Sequence, residues 1–304
     1  MKNRLFPALL LTAANVIPVQ SQPYALELSL ESKTDNSMEI SAQKTAPGTY
    51  TVRIEFSSLQ NTTWMQPIYE TAVQSSGTIL TLRPTHADEP VRCIYRYQYL
   101  TGRENTDPDT AFVYRLPYSS RCSARMRNLS QLRSATQTEE ERKSWKAFQF
   151  RLEQGDTVYA VRKGIVTEIV DKYDPVPQEG HTSYHSYANR IKIEHEDGSI
   201  ANYSVLQKGS FLVREGDTVY PDTPLALAGT YDNSHYQLRL MLYVYKKREP
   251  GKFRFMSIYL NPYFLTDEGP VKLQDNALYT PAITDELITQ EMTKKEVKRR
   301  KGKK

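Results

Sequence analysis

Histidine and cysteine, two of the residue types that most often hold zinc, are scarce in this sequence. Its 304 residues include five histidines and two cysteines, and no histidine lies between His86 and His181. Two cysteines alone make a poor zinc site. No internal run reaches the ~18 apolar residues that a membrane-spanning helix needs, which argues against an internal span. At roughly one domain per 150 residues, the length predicts about two domains.

The first 21 residues have the pattern of a cleaved secretory signal. Lys2 and Arg4 precede the apolar run LFPALLLTAANVIPV, and small residues suited to a signal peptidase follow near Ser21. A charged start, an apolar middle and a small-residue exit are typical of such signals. An uncleaved anchor is the alternative, and the short apolar run disfavours it. With no cysteine at the cleavage site to carry a lipid, we expect a periplasmic or extracellular protein of a bacterial envelope.

Export changes what the two cysteines predict. In an oxidising compartment Cys93 and Cys122 are able to form a disulfide. Closing that ~30-residue loop stabilises the folded state by about 3–4 kcal/mol in the chain-entropy model. Two free thiols are the alternative.

The net charge of +5 is concentrated at one end of the chain. The segment Lys294–Lys304 has eight basic residues and Glu296, hence +7, which leaves the rest of the protein near −2. This distribution argues against a nucleic-acid-binding domain. The tail is predicted to be a solvated, fraying end, with contact to an anionic surface as the alternative.

Short runs rich in β-branched and aromatic residues dominate the first half of the chain. They are TYTVRIEF (49–56), TILTLRP (78–84), VRCIYRYQY (91–99) and AFVYRL (111–116), separated by Gly, Asn, Pro and Asp clusters. Short strands at this spacing predict an Ig-like β-sandwich over residues 22–117. Residues 118–143 are polar and charged and are predicted to form a connector.

A second set of strand-like runs covers residues 144–248. It includes a hairpin that turns at Asp197-Gly198 and ends in the alternating stretch HYQLRLMLYVY, His235–Tyr245. Because strand side chains alternate between faces, Leu238, Leu240, Leu242 and Val244 form a core face, and Gln237, Arg239, Met241 and Tyr243 form the opposite one. The fold is therefore predicted to be mostly β, with residues 249–304 forming a C-terminal extension that carries the basic tail.

This second domain resembles the LytM/lysostaphin-type zinc endopeptidases, which cut peptide cross-links in bacterial cell walls. The resemblance runs from Tyr114 to Tyr245. It rests on five blocks in order: YRLPY, AFQFRLEQGDTVYAVRKGIV, YANRIKIEHEDGSIANYSVL, VREGDTVYPDTPLALAG and the final alternating strand. It implies a β-sheet domain with a groove.

The resemblance also implies where zinc ligands would lie. Family members hold zinc with two histidines and an aspartate, the first two ligands forming an H-x-x-x-D block that is similar to WKAFQF here. Trp145 then stands at the first histidine, Gln149 at the aspartate and Arg239 at the second histidine. Tryptophan does not bind zinc, glutamine is a weak neutral ligand, and arginine carries a permanent positive charge.

The family's two catalytic histidines are replaced as well. Gln237 corresponds to one and Val205, within YSVL, to the other. A two-residue shift of the last strand would instead bring His235 to the first of these positions. Without zinc, water keeps a pKa of about 15.7 instead of ~7, and valine cannot transfer a proton. The domain is therefore interpreted as a pseudo-enzyme with no cofactor.

The remaining histidines offer no obvious substitute. His181 and His185 lie in a loop, QEGHTSYHSYAN, in which Gly180 argues against the helix that their spacing would need. His195 lies beside the Asp197-Gly198 turn and is interpreted as structural. His235 enters the last strand, where it is a possible groove neighbour, as are Met241 and Tyr243.

The functional hypothesis is a non-catalytic binding or regulatory protein of the cell envelope. Arg239 is suited to a bidentate contact with a carboxylate of a peptidoglycan peptide or of an envelope protein such as a cell-wall amidase. A local ion pair that merely fills the former metal site is the alternative for Arg239. An active endopeptidase with an unorthodox site is the alternative for the whole domain.

Overall fold

The computed structural model describes residues 25–129, 137–175, 188–249 and 252–302, and this part of the chain is mostly β, which confirms the predicted fold class. The predicted signal, His181 and His185 lie outside the described residues. Within the described residues no helix is long and apolar enough to cross a membrane.

The N-terminal region consists of two three-stranded antiparallel sheets. Their strands are β1 (Leu26–Ser32), β2 (Met38–Lys44), β3 (Tyr50–Gln60), β4 (Ile68–Val73), β5 (Gly77–Leu82) and β6 (Arg92–Thr101). One sheet has the order β1-β2-β5 and the other β4-β3-β6. Alternating apolar residues from both sheets, such as Leu26, Ile40, Val52 and Ile54, enclose one core between them. This arrangement is a small β-sandwich.

The second region is built on a nine-stranded sheet. Its strands and their small companion sheets are β7 (Val113–Arg115), β8 (Ala124–Asn128), β9 (Phe148–Arg151), β10 (Thr157–Tyr159), β11 (Gly164–Val170), β12 (Arg190–Glu194), β13 (Ile200–Ser204), β14 (Thr218–Val219), β15 (Pro224–Leu227), β16 (Gln237–Lys247), β17 (Phe255–Tyr259), β18 (Tyr263–Thr266), β19 (Gly269–Val271) and β20 (Leu278–Tyr279). The large sheet has the order β14-β11-β12-β13-β16-β9-β8-β20, and β17 also pairs with β16.

Strand β16 is central to this sheet, and its alternation decides which face is which. Leu238, Leu240 and Leu242 join the main hydrophobic core with Phe148 and Phe150 of β9. The other face is divided. The part of this face around Met241 and Tyr243 packs in a small apolar cluster. The part at the start of β16, around Gln237 and Arg239, carries polar side chains and forms the groove.

The predicted connector and C-terminal extension contribute strands to this region. Strand β8, from the connector, pairs with β9, and β17 and β20, from the extension, pair with β16 and β8. Helix α1 (Glu139–Ser144) begins with a capping box formed by Thr138 and Glu141. The Glu141 carboxylate also accepts a hydrogen bond from the Ser257 amide of β17, 3.1 Å away. Sequence polarity alone did not predict these pairings, because β8 and β20 are short strands.

The basic tail is not a fraying end over its described residues, which corrects the prediction. It forms helix α3 (Lys294–Lys301), which follows α2 (Asp285–Thr289). Glu296 accepts hydrogen bonds from Lys163 at 3.0 Å and Tyr220 at 2.7 Å, and Arg300 pairs with Asp222. The acidic residue inside the basic run thus fixes the helix to the sheet domain.

The predicted Cys93–Cys122 bridge is absent: both thiols are free. Cys93 packs against the sandwich core, with its sulfur 3.5 Å from that of Met38. Cys122 packs against the core of the sheet domain, with its sulfur 3.8 Å from a carboxylate oxygen of Asp156. Membership of two separate cores keeps the cysteines apart, and sequence separation could not show this.

Candidate functional site: an electropositive groove on the open sheet face

One row of side chains crosses five neighbouring strands of the large sheet. Strand register places Arg127 beside Gln149, Gln149 beside Arg239, Arg239 beside Ser204, and Ser204 beside Arg190. Neighbouring strands are about 4.8 Å apart, so every second residue of this row is an arginine at a spacing of roughly 10 Å. Two of the assigned zinc-ligand positions, Gln149 and Arg239, are therefore direct neighbours.

Arg239 is the most deeply placed cation of this row. Its side chain is buried, with 4% of the residue exposed, and lies against Tyr231, whose ring centre is 4.8 Å from the guanidinium carbon. Nη1 donates to the Tyr231 hydroxyl at 3.3 Å, whereas Nε has no acceptor among the described residues. No carboxylate in the described part of the chain pairs with Arg239, so the local ion pair considered from the sequence is not found there.

A cavity of about 270 Å³ opens beside Arg239. Its lining residues come from β12, β13, β16, β17 and two loops: Ala188, Arg190, Lys192, Asn202, Ser204, Tyr231, Arg239, Met241, Tyr243, Ser257 and Tyr259. The wall opposite Arg239 is neutralised in part, because Glu168 accepts from Arg190 at 2.6 Å and from Lys192 at 2.8 Å. Burial raises the pKa of Glu168, but these two cations outweigh that effect and hold it below its ordinary value.

Cations outnumber carboxylates around the groove. Arg127 and Arg151 are exposed on the same sheet face, and neither forms an ion pair with the described residues. Arg190 and Lys192 share the single charge of Glu168. A concave surface with an excess of one sign of charge concentrates ligands of the opposite sign. The groove is therefore suited to an anionic group.

Trp145, at the first assigned ligand position, has a packing role. It is mostly buried, its indole N–H donates to the Leu129 carbonyl at 3.0 Å, and its ring meets Tyr259 edge to face at 4.7 Å. Together with the amide of Gln149 and the guanidinium of Arg239, this donor set does not fit zinc. No cluster of three or more potential metal-binding side chains occurs within the described residues.

Val205 has an unusual backbone conformation. Its φ is +66°, in the left-handed region, where a β-branched residue is a genuine outlier. Its carbonyl accepts from the Gly229 amide at 2.8 Å, and a Cβ at Gly229 would lie only 2.7 Å from that same oxygen. Such a conformation costs of order 1–3 kcal/mol and persists only where its surroundings enforce it. Val205 stays strained at the position assigned to a catalytic histidine.

Gln237 and His235 differ sharply in environment. Gln237 is buried, and its Oε1 has no partner among the described residues. His235 precedes β16 on an exposed turn, where its Nδ1 lies 2.6 Å from Asp232 and helps to hold the pKa of that carboxyl well below its ordinary value. The register pairs Gln149 with Arg239 and not with Gln237.

His195 lies away from the groove and is buried. Its Nδ1–H donates a hydrogen bond to the Lys163 carbonyl, 2.8 Å away. Burial, with the nearby Arg162 cation as a second cause, lowers the pKa of His195 to about 4. The imidazole is therefore neutral at ordinary pH, in agreement with a structural role.

A second cavity of about 390 Å³ continues the groove across Ala188 and Tyr231, which line both. Its walls include Tyr173, Tyr236 and the strained Val205. Sequence analysis did not single out Tyr231, Asn202, Arg190, Lys192 or Glu168. Only their alternation on predicted strands could have suggested that some of them share the face of Arg239.

By its fold and site, this region is a β-sheet domain of the class that has an open antiparallel sheet and a polar groove on one face. Residues 143–251 match the model of Peptidase family M23, which confirms the resemblance to LytM-type endopeptidases for this segment. The rest of the chain lies outside the match. No curated protein matches the chain.

Three solved structures are similar over parts of their chains. A protein named as a glycyl-glycine endopeptidase, LytM, from Ruminococcus gnavus shares 18% identity over 36% of this chain and 42% of its own, with a TM-score of 0.26. Helicobacter pylori Csd3 shares 9% sequence identity over 92% of this chain and 77% of its own, with a TM-score of 0.30. A zinc-containing peptidase from Vibrio cholerae shares 13% sequence identity over 77% of this chain and 84% of its own, with a TM-score of 0.26. This chain thus spans less than half of the Ruminococcus protein, and similarities this low do not define a common overall arrangement.

Proposed function

We propose that this protein is a non-catalytic binding or regulatory protein of the cell envelope, built on an M23 domain that has lost its zinc site. The observation that carries the proposal is Arg239, a buried guanidinium without a carboxylate partner among the described residues, at a former ligand position and on the wall of a cavity. The family match and the export signal predicted over residues 1–21 support the envelope location.

Hydrolysis by the family mechanism is disfavoured by the residues themselves. A metal ion next to Arg239 would meet a permanent positive charge, and Trp145 already uses its only polar atom to bind the Leu129 carbonyl. Neither Val205 nor Gln237 is able to act as a general base. No part of the groove supplies the activated water that peptide hydrolysis requires.

Binding is favoured by the same residues. A buried cation is costly when no described carboxylate pairs with it, and a ligand carboxylate would supply the missing negative charge and two acceptors at once. Amidase activation and scaffolding of an envelope complex are the two roles that such a groove would serve, with a peptidoglycan peptide or an envelope protein as the partner.

The first experiment measures metal and activity in the purified mature protein. We expect less than stoichiometric zinc by mass spectrometry and no release of peptides from isolated cell walls. Wall fragments or an envelope protein should be retained by the immobilised protein and lost on Arg239→Ala. One tightly bound zinc per chain together with zinc-dependent cleavage would instead establish the active endopeptidase and sink the proposal.

A further inference from the structure

Three buried polar atoms on the open face of the large sheet lack a hydrogen-bond partner among the described residues. They are Nε of Arg239, Oδ1 of Asn202 and Oε1 of Gln237. Asn202 lies opposite Met241 in the pairing of β13 with β16, so its side chain shares the sheet face of Arg239 and Gln237. Native proteins rarely leave such atoms unsatisfied, because a buried polar group without a partner has lost its hydrogen bonds to water and gained none in return.

The three atoms differ in what they require. Arg239 and Asn202 line the 270 Å³ cavity, whereas Gln237 lines neither cavity. Arg239 offers an N–H and a positive charge, and Asn202 offers an amide oxygen that accepts hydrogen bonds. A complementary ligand therefore carries an anionic acceptor and, close to it, one or more N–H donors. The last residue of a peptide has this combination, since its carboxylate and its backbone N–H are attached to the same α-carbon.

We propose that the groove binds the free carboxyl terminus of a peptide, with the carboxylate on Arg239 and the backbone N–H directed to the amide oxygen of Asn202. This inference rests on the proposed function and specifies its ligand. The 270 Å³ cavity is slightly below the range of about 300–1,000 Å³ of ligand sites, as suits the end of a chain. The preceding residues would pass Ala188 and Tyr231 into the 390 Å³ cavity.

Other ligand classes leave part of this site unsatisfied. An internal peptide segment brings N–H groups but no charge for Arg239. A fully ionised polyanion brings acceptors alone, which do not satisfy the amide oxygen of Asn202. The last residue of a peptide, with its carboxylate and its backbone N–H, thus matches both Arg239 and Asn202.

The test uses four probes against the mature full-length protein: N-acetyl-trialanine of all-L or all-D configuration, each as the free acid and as the C-terminal amide. By titration calorimetry we expect a free acid to bind at least ~10-fold more tightly than its amide, as for loss of a charge-assisted pair. A preference for the D series points to a wall peptide, because such peptides carry D residues, and a preference for the L series points to a protein terminus. Equal affinity of acid and amide would overturn the proposal.

Variants separate the site from general charge effects. Arg239→Gln should lose the free-acid preference, and Asn202→Leu should weaken binding of the free acid while leaving the protein folded. The matched control is Arg92→Ala, which removes an exposed arginine of the sandwich strand β6 and should change nothing. Inorganic phosphate that competes as strongly as the free acid would also overturn the inference. None of these outcomes affects the absence of cleavage, which the zinc and hydrolysis assays decide separately.

Discussion

Gln149 and Arg239 lie directly opposite each other on the antiparallel strands β9 and β16, where two ligands of one metal ion would have to meet. The Arg239 guanidinium attracts anions and repels cations, and the neutral Gln149 amide adds no charge of its own. Under the proposed function, a change from metal ligands to Gln149 and Arg239 would make the groove accept an anion in place of a cation.

Restoring these two positions tests how far the metal site has been lost. We expect the double variant Gln149→Asp, Arg239→His to bind zinc weakly at most and to release no peptides from cell walls, because Trp145 and Val205 remain. Calorimetry with zinc and a wall-digestion assay measure both effects. Tight equimolar zinc binding by this variant would show that Trp145 is not the obstacle we infer.

Arg239 should contribute to binding at the expense of stability. Arg239→Met removes a buried charge without a carboxylate partner among the described residues, so we expect unfolding free energy to stay constant or to rise by about 1–2 kcal/mol. Urea denaturation measures the change. A loss of several kcal/mol would show that the arginine is structural.

Arg162 is the matched control for that measurement. It is also buried, but it pairs with Asp197 at 2.6 Å and Glu291 at 2.8 Å. Arg162→Met should cost about 3–5 kcal/mol, because it leaves two partly buried carboxylates without their cation. Because the free energy of unfolding should hold or rise in the Arg239 variant and fall in the Arg162 variant, a general effect of methionine would not explain both results.

The strained backbone of Val205 predicts that its glycine and alanine variants have the opposite order of stability from the usual one. At an ordinary buried position, glycine is less stable than alanine by about 0.5–1 kcal/mol. At a φ of +66° the Cβ itself is unfavourable, so Val205→Gly should be more stable than Val205→Ala by about 1 kcal/mol. Val166, a buried core residue of strand β11, serves as the control and should show the ordinary order in thermal denaturation.

The buried His195 predicts a loss of stability in mild acid. Its pKa is about 4 in the fold, and an unfolded histidine has a pKa of about 6.5, so between these values the unfolded state binds more protons. Stability should therefore fall as pH drops from about 6.5 to about 4, by roughly 1–3 kcal/mol. The pKa of the neighbouring Asp197 is below its ordinary value, so its contribution is lost only at lower pH. His195→Gln should flatten the curve in this window, and an unchanged slope would contradict the assignment.

The two cysteines should be free. Because Cys93 and Cys122 belong to separate cores, we expect both to be alkylated after unfolding under non-reducing conditions. Mass spectrometry of protein isolated from its native compartment measures this directly. A bridged species would mean that the sandwich and the sheet domain approach each other differently from the arrangement seen here.

The sequence by itself determined the strand character of β16 and its two faces, and it predicted which residues stand at the family's zinc positions. These follow from local rules: alternation with a period of two, and side-chain chemistry that excludes Trp145 and Arg239 as ligands. It misassigned the disulfide, and it missed the pairing of the predicted connector and extension with the large sheet. Both depend on contacts between distant segments.

Only the tertiary structure decided what surrounds Arg239. Asn202, Tyr231 and the Glu168 network reach the groove from strands and loops that are far apart in the chain, and one residue of register shift would turn their side chains to the core. It also decided that Glu296 fixes the basic tail as a helix. Local pattern sets the face on which a side chain lies, whereas its partners depend on strand order and register, which are properties of the assembled sheet.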